Sequence, residues 1–428
     1  MKFEHAEWTR VTKSLVARNA GWMFVGQGTG AVLQAACFIV LARLLGAAEY
    51  GVFIGAFAYT GLVAQYSSLG SGTLLLRYVS EDRKTFPVYW GNVLVSTAVT
   101  GAILIAVLCC LAPHLLNARS ASLVFLAGIS NCVFATLTEQ TGRVFQCFQM
   151  MRVTATLNLL TNLMRVLAVS GMLWKLHHAT AWQWAAMSTA VSAVAAAIAV
   201  TTVTGSFGRP HFVPRLFLRR GVEGLGYSFA SSTVSVYNDV DKTMLSHFGM
   251  NAANGIYSMA YRIADMATIP IYSIREAALP RLFQHGRAGI GDASVLSYRL
   301  LKRALPLSLL VAVATFLAAP LIPRLIGSGF AESVTALRWL CLIPVFRCVH
   351  IMIGNALTGA GLQTYRTIAQ VSAASLNLGI NLWAIPYFGW LGAAWASLVT
   401  DGALCVLTWA ILHRVVLRAN LCNKGQLA

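Results

Sequence analysis

The sequence predicts an all-α protein that crosses a membrane many times. Of its 428 residues, 57% are hydrophobic and 11% are charged, and the mean hydropathy is +0.67. Soluble domains carry about 25% charged residues. Apolar stretches of about 20 residues, each long enough to cross a bilayer as a helix, recur along the whole chain. We therefore predict a polytopic helical membrane protein.

Apolar length and flanking polar residues predict about twelve spans. Their limits are 17–42, 50–76, 88–113, 121–142, 153–174, 181–204, 224–247, 252–274, 304–326, 334–358, 367–386 and 390–413. The polar segment 1–10 lacks the apolar core and cleavage site of a signal peptide, so we expect the first span to be retained.

The polar interruptions predict two halves. The basic, proline-containing segment 205–222 is expected to be a linker between a six-helix lobe at 1–204 and a second at 223–428. The other long interruption, 275–303, has room for a short amphipathic segment at the membrane surface. No loop is long enough for a soluble catalytic domain.

The net charge of +18 is distributed unevenly between the two sides of the predicted membrane. With the loops numbered alternately, one side holds 23 of the 32 Lys and Arg residues. The other side holds Arg43, Arg119, Lys175 and Arg324. By the positive-inside rule the richer side, with both termini, is cytoplasmic. The basic charge is thus explained by topology, and we expect no nucleic-acid partner.

A weak internal repeat supports the two halves. Residues 44–59 read LLGAAEYGVFIGAFAY, and residues 246–261 read SHFGMNAANGIYSMAY. Each has a glycine, a short polar gap, a second glycine, an aromatic residue and a final Ala-Tyr. A parallel repeat of this kind is a common plan of membrane transporters.

Five cationic residues lie inside predicted spans: Arg165, Lys242, Arg262, Arg338 and Arg347. A charge at mid-bilayer costs roughly 2.5–3.5 kcal/mol on the insertion scale, so such residues usually face a bundle interior or a water-filled cavity. Arg338 is near enough to the outer interface to extend its charge to water. The excess of cations predicts a cavity for an anionic substrate.

Asn158, Asn162 and Arg165 lie on one face of the fifth span, at i, i+4 and i+7. Hydrogen bonds between helices are the simpler interpretation of the two asparagines. Arg165 is harder to satisfy by packing, so we favour a place in the cavity wall. All three are candidate substrate-binding residues.

The seventh and eighth spans combine acidic and basic residues. Asp239 and Lys242 can pair at i,i+3, either as a fixed ion pair or as one that opens during transport. Arg262 and Asp265 have the same spacing. Pro270 follows and is expected to bend the helix. Lys242 and Arg262 are candidates for substrate binding, and Asp239 and Asp265 for ion pairs or coupling.

The tenth and twelfth spans add Arg347, His350 and Asp401. Arg347 lies deep in its span and is a fourth candidate cation for substrate binding. We interpret His350 as a hydrogen-bonded structural residue. Asp401 is either a proton or cation site or the partner of an intramembrane arginine.

Signals of catalysis, metals and cofactors are missing from the sequence. It contains no G-x-S-x-G, H-E-x-x-H or Walker A motif. Its nine cysteines include no C-x-x-C pair and lie mostly within spans, as buried apolar residues do. We therefore predict no enzyme, no catalytic residue, no metal and no cofactor.

Several short stretches resemble one transporter family. They are RNAGW at 18–22, LARLLG at 41–46 with EYG at 49–51, DKTML at 241–245, GIY at 255–257 with YR at 261–262, GAG at 359–361 and GAAWA at 392–396. Their order and the twelve-span layout resemble the polysaccharide-unit flippases, the Wzx-type branch of the multidrug/oligosaccharidyl-lipid/polysaccharide exporter superfamily.

This resemblance implies two six-helix lobes around a cavity that opens alternately to each side of the cytoplasmic membrane. It implies an undecaprenyl-diphosphate-linked oligosaccharide as anionic substrate, surrounding membrane lipids, and polysaccharide polymerase and chain-length components as candidate partners. The intramembrane cations would then hold the diphosphate or acidic sugars. A cation-coupled multidrug exporter of the same fold and a membrane polysaccharide polymerase or ligase are the alternatives.

Overall fold

The computed structural model describes residues 2–176 and 178–425, and for 2–25, 217–218, 277, 279–280, 287–288 and 420–425 only their backbone. In these ranges the chain is helical and has no strands, as predicted. The helices are α1 (Lys2–Val63), α2 (Ser71–Glu81), α3 (Phe86–Leu115), α4 (Ala118–Ala121), α5 (Val124–Gly128), α6 (Thr136–Cys147), α7 (Met151–Lys175), α8 (Ala181–Phe207), α9 (Pro214–His247), α10 (Asn251–Ala267), α11 (Ile269–Ala288), α12 (Ile290–Ala318), α13 (Ile322–Ile326), α14 (Ser333–Leu340), α15 (Ile343–Gly359), α16 (Gln363–Phe388) and α17 (Trp390–Gly425).

Eight of the described helical segments are long and apolar enough to cross a membrane. They are Gly26–Tyr66, Arg83–Leu115, Met151–Lys175, Ala181–Phe207, Ile290–Ile326, Ser333–Gly359, Gln363–Phe388 and Trp390–Ala419. The predicted spans at 121–142, 224–247 and 252–274 also fall on helices. These helices are not among the eight because they are interrupted, short or more polar. The chain is thus an all-α, multi-pass membrane protein.

Several predicted boundaries differ from the structure. The first two spans follow each other directly in α1 as two helical segments, which meet at a kink at Gly46, where φ is +69° and ψ is 172°. The second span was predicted to reach residue 76, but the helical conformation is interrupted at Leu69 and Gly70, which both have positive φ. The predicted surface segment 275–303 is almost wholly helical because α11 and α12 are separated only at Gly289, where φ is +131°.

Proline acts as a helix starter at two of these boundaries. Pro214 opens α9, so the predicted linker 205–222 is non-helical only between Phe207 and Pro214. Pro270 was expected to bend the eighth span. Instead α10 ends at Ala267, and Pro270 lies in the first turn of α11, where its missing N–H costs no helical hydrogen bond.

The chain forms two compact units. Unit 1 comprises 1–45 and 56–232, and unit 2 comprises 46–55 and 233–428. One boundary between the units lies within α9, and one short segment of α1 belongs to unit 2. The two lobes joined by a linker at 205–222 stay a prediction. The candidate residues Asn158, Asn162 and Arg165 lie in unit 1, and the other six lie in unit 2.

Each unit has its own apolar core. In unit 1, α2, α3, α6 and α8 enclose Trp90, Phe145, Leu75 and Val203. The indole Nε1 of Trp90 donates to Thr204 Oγ1 at 3.3 Å, so the ring is buried without an unpaired donor. In unit 2, α11, α12 and α15 pack through small groups of apolar residues around Ile271, Cys348 and Met352.

The two segments of the internal repeat pack on each other within unit 2. A Cβ placed on Gly51 would lie 1.8 Å from the carbonyl oxygen of Asn251, and one on Gly255 would lie 2.0 Å from that of Ala47. Asn254 Nδ2 donates to the carbonyl of Gly51 at 3.0 Å. The repeated glycines therefore allow the two backbones to touch.

Candidate substrate and coupling sites

The predicted polar face of α7 is present in unit 1. Asn158 is exposed, and Asn162 and Arg165 are partly buried on the same side of the helix. Arg165 Nη2 donates to Ser192 Oγ on α8 at 3.4 Å. A Cβ on Gly26 of α1 would lie 2.7 Å from Ala155 Cβ, and one on Gly30 would lie 3.4 Å from Asn162 Nδ2, so these two glycines let α1 pack closely on α7.

Arg347 is the centre of a polar cluster inside unit 2. Its side chain is only 3% exposed and forms an ion pair with Asp265, which is 51% exposed. The second terminal nitrogen, Nη2, donates to Tyr261 Oη at 2.7 Å and to Asn238 Oδ1 at 3.1 Å. Nη1 also donates to Tyr272 Oη at 3.1 Å. The two terminal nitrogens of the guanidinium thus donate to four acceptors, which come from α9, α10 and α11.

Asp265 has a partner that its spacing along the chain did not predict. Its carboxylate pairs with Arg347 of α15, 82 positions away. Arg262 is partly buried on α10 and has contacts of its own. The buried guanidinium of Arg347 needs a counter-ion, and Asp265 supplies it.

Lys242 is paired as the sequence predicted. Its Nζ donates to Asp239 Oδ1 at 2.6 Å and lies 4.2 Å from the centre of the Tyr261 ring. The neighbouring Asp241 is fully buried, and it accepts hydrogen bonds from Tyr257 Oη and, at 3.3 Å, from Ser397 Oγ. Lys242, Asp239 and Asp241 therefore tie α9 to α10 and α17.

In two ion pairs of unit 2, the cation is more deeply buried than the carboxylate that pairs with it. Lys242 and Arg347 are buried, whereas their partners Asp239 and Asp265 keep 36% and 51% of their side-chain exposure. That these two cations line a cavity and bind substrate stays a prediction. An anion would reach them only after the ion pairs open.

Asp401 and His350 form a second buried pair in unit 2. Asp401 Oδ1 lies 3.7 Å from His350 Nε2, too far for a hydrogen bond. Both atoms are buried without a hydrogen-bond partner among the described residues. At these two atoms Asp401 faces His350. The role of Asp401 as a proton or cation site or as the partner of an arginine stays a prediction, and so does the interpretation of His350 as a hydrogen-bonded structural residue. Arg338, the remaining cation, lies over the ring of Phe316.

Sequence reasoning missed Asn238, Tyr272 and Ser397 as members of these clusters. The signal for Asn238 and Asp241 was present, because both lie in the most polar stretch of the seventh span. The sequence carried no signal for Tyr272 or Ser397, because single hydroxyl groups are common in apolar helices. Only the fold brings Tyr272 to Arg347 and Ser397 to Asp241.

Comparison with known proteins decides the family. Residues 16–285 match the profile of the family described as "Polysaccharide biosynthesis protein". The chain belongs to this family. No curated protein sequence matches it. Among solved structures, this polysaccharide biosynthesis protein is similar to an inward-facing multidrug resistance MATE family transporter of the MOP superfamily, with a TM-score of 0.75, 13% identity, and coverage of 90% of this chain and 95% of the other.

Other solved transporters show the same fold. An outward-facing MATE family transporter of the MOP superfamily has a TM-score of 0.63 and 15% identity, covering 94% of this chain and 96% of its own. The eukaryotic MATE transporter AtDTX14 has a TM-score of 0.61 and 16% identity, with the same coverage. At such low identities the likeness shows the fold alone. This polysaccharide biosynthesis protein therefore has the fold of MOP-superfamily membrane transporters.

Proposed function

We propose that this protein is a flippase that moves undecaprenyl-diphosphate-linked oligosaccharide repeat units across the bacterial cytoplasmic membrane by alternating access, without an enzymatic step. The observation that carries the proposal is the combination of a polysaccharide biosynthesis family match with a transporter fold over 90% of the chain. A polymerase or ligase would not need that fold.

The candidate residues fit a substrate with a large polar head. Asn158, Asn162 and Arg165 form a polar face in unit 1, where amide and guanidinium groups donate to sugar hydroxyls and phosphate oxygens. In unit 2, Lys242, Arg262 and Arg347 supply further positive charge once their partners move. Asp239, Asp265 and Asp401 are candidates for coupling. Transport assays in vesicles with a proton or a sodium gradient would identify the ion.

A strain that lacks the protein tests the function. We expect its lipid extract to accumulate complete oligosaccharide units linked to undecaprenyl diphosphate on the cytoplasmic leaflet, and the wild-type gene to reverse this. Normal lipid-linked sugars with raised drug sensitivity would favour the second candidate, a cation-coupled exporter, which the exposed carboxylates of Asp239 and Asp265 suggest. Single units that reach the periplasm without being joined would favour a polymerase.

Arg165→Gln is expected to reduce flipping at least about tenfold with little change in folding, because a hydrogen bond from a charged group contributes about 1.5–3 kcal/mol. Arg165 is only partly buried, and its hydrogen bond to Ser192 is long, at 3.4 Å. Lys175→Gln, an exposed cation at the end of the same helix, is the matched control. Full transport by Arg165→Gln at normal membrane levels would remove Arg165 from the site.

A further inference from the structure

Arg366 is a cation of unit 2 that the cluster around Arg347 does not include. It lies in the first turn of α16, and its partly buried side chain crosses Gly354 of α15, where a Cβ would lie 3.3 Å from Nε. Nη1 donates to Thr358 Oγ1 at 2.9 Å and to Asn355 Oδ1 at 3.4 Å. Among the described residues, no carboxylate lies within ion-pair distance of it. Arg366 thus has only neutral acceptors.

The surroundings do not balance this charge. The carboxyl end of α15 faces Arg366 with a partial negative charge of about one half, but the amino end of α16 contributes about the same positive charge. Arg275 of α11 is near enough to act on Arg366 as a like charge. The carboxylate of Glu276 pairs with Arg275 and is itself half exposed. The site therefore keeps an excess of positive charge.

Asn355 provides an independent sign of a missing acceptor. The residue is 1% exposed, and its Nδ2 has no hydrogen-bond partner. Its Oδ1 accepts from Arg366, so turning the amide over would place two donor groups against each other. An unpaired buried donor is costly, and buried polar groups in proteins are almost always satisfied. An acceptor placed beside Arg366 would satisfy both side chains.

We propose that Arg366 and Asn355 form a binding site for a phosphate-type anion. A guanidinium offers paired donors that match phosphate oxygens, and the amino end of α16 adds a partial positive charge. If the proposed function is right, the bound anion is the diphosphate group of the lipid-linked substrate. Free inorganic phosphate has the same chemistry. The charge distribution predicts that this end of unit 2 is cytoplasmic, where such a lipid would enter.

The test measures thermal unfolding of the purified full chain in detergent with pyrophosphate and with sodium chloride of equal ionic strength. We expect pyrophosphate to raise the melting temperature of the wild type and of the control Arg303→Gln, an exposed cation on α12. Arg366→Gln should bind pyrophosphate about tenfold more weakly or worse. Arg366→Lys, which keeps the charge and loses the paired donors, should lie between them.

Two results would overturn the site: a wild type that responds equally to both salts, and an Arg366→Gln variant that responds like the wild type. The wild-type titration decides even if the variant does not fold. A short-chain polyprenyl diphosphate that acts at lower concentration than pyrophosphate would support a lipid source, and equal action a free anion. If the site fails while the deletion strain accumulates lipid-linked oligosaccharide, the proposed function stands without it.

Discussion

We expect Asp265→Ala to destabilise the protein more than Arg347→Met, although both substitutions remove the same ion pair. The two partners differ in burial, since Arg347 is 3% exposed and Asp265 is 51% exposed. Without Asp265 the buried guanidinium keeps its charge and has only neutral acceptors. Leaving a buried charge unpaired costs roughly 3–5 kcal/mol. Without Arg347 the carboxylate of Asp265 can be solvated.

The double variant Asp265→Ala/Arg347→Met separates this explanation from a general loss of packing. Because it removes the buried charge together with its partner, we expect its melting temperature to lie above that of Asp265→Ala and near that of Arg347→Met. Thermal unfolding of the purified variants in one detergent measures all three. If the unpaired buried charge causes the loss of stability, the double variant must melt at a higher temperature than Asp265→Ala.

Glu139→Ala is the matched control for an exposed ion pair. Glu139 and Arg143 are 2.7 Å apart and keep 46% and 23% of their side-chain exposure. Such pairs contribute about 0–1 kcal/mol, so the control should unfold close to the wild type. An Asp265→Ala variant that is as stable as Glu139→Ala would mean that Arg347 finds another counter-ion, and the described cluster would be wrong.

The second large effect is expected from Gly51→Ala. The added Cβ would lie 1.8 Å from the carbonyl oxygen of Asn251 and 2.7 Å from the backbone nitrogen of Gly255. Both are backbone atoms, so no side-chain rotation can relieve the overlap. Separating the two segments would also break the hydrogen bond from Asn254 to Gly51. Overpacking typically costs about 1–3 kcal/mol, and a backbone clash belongs at or above the upper end.

Gly61→Ala on the same helix is the control, because nothing lies within 4 Å of a Cβ at that position. Replacing a helical glycine by alanine gains up to about 1 kcal/mol of helix propensity. We therefore expect Gly61→Ala to keep or raise the yield of monodisperse protein in size-exclusion chromatography, and Gly51→Ala to lower it sharply. Equal yields from the two variants would show that the contact between the repeated segments tolerates a side chain.

The two ion pairs of the candidate sites in unit 2 differ in how far the sequence could predict them. The pair of Asp239 and Lys242 lies within one helical turn, so its spacing alone places the two groups together. Spacing could not place Arg347 beside Asp265. That ion pair joins α15 to α10 across 82 positions, so only the fold brings the two groups together.

The sequence predicted the presence of the helices better than it predicted where they end. Apolar length located the membrane helices well, because each span must satisfy its backbone hydrogen bonds internally. Where helices stop was less predictable. Gly46, Leu69 and Gly289 adopt positive φ values that break helices within or beside apolar stretches, and hydropathy does not register backbone conformation.

By itself, the sequence determined the class of protein, the positions of most helices and the stripes of polar residues along them, because these depend on composition and on contacts within a few turns. Only the tertiary structure decided that Arg347 is enclosed by Asp265, Tyr261 and Tyr272, that Asp401 faces His350, and that Arg366 has no acidic partner in the described chain. The physical reason is that a buried charge or polar group takes its partner from whichever helix the fold brings within reach, at any distance along the chain.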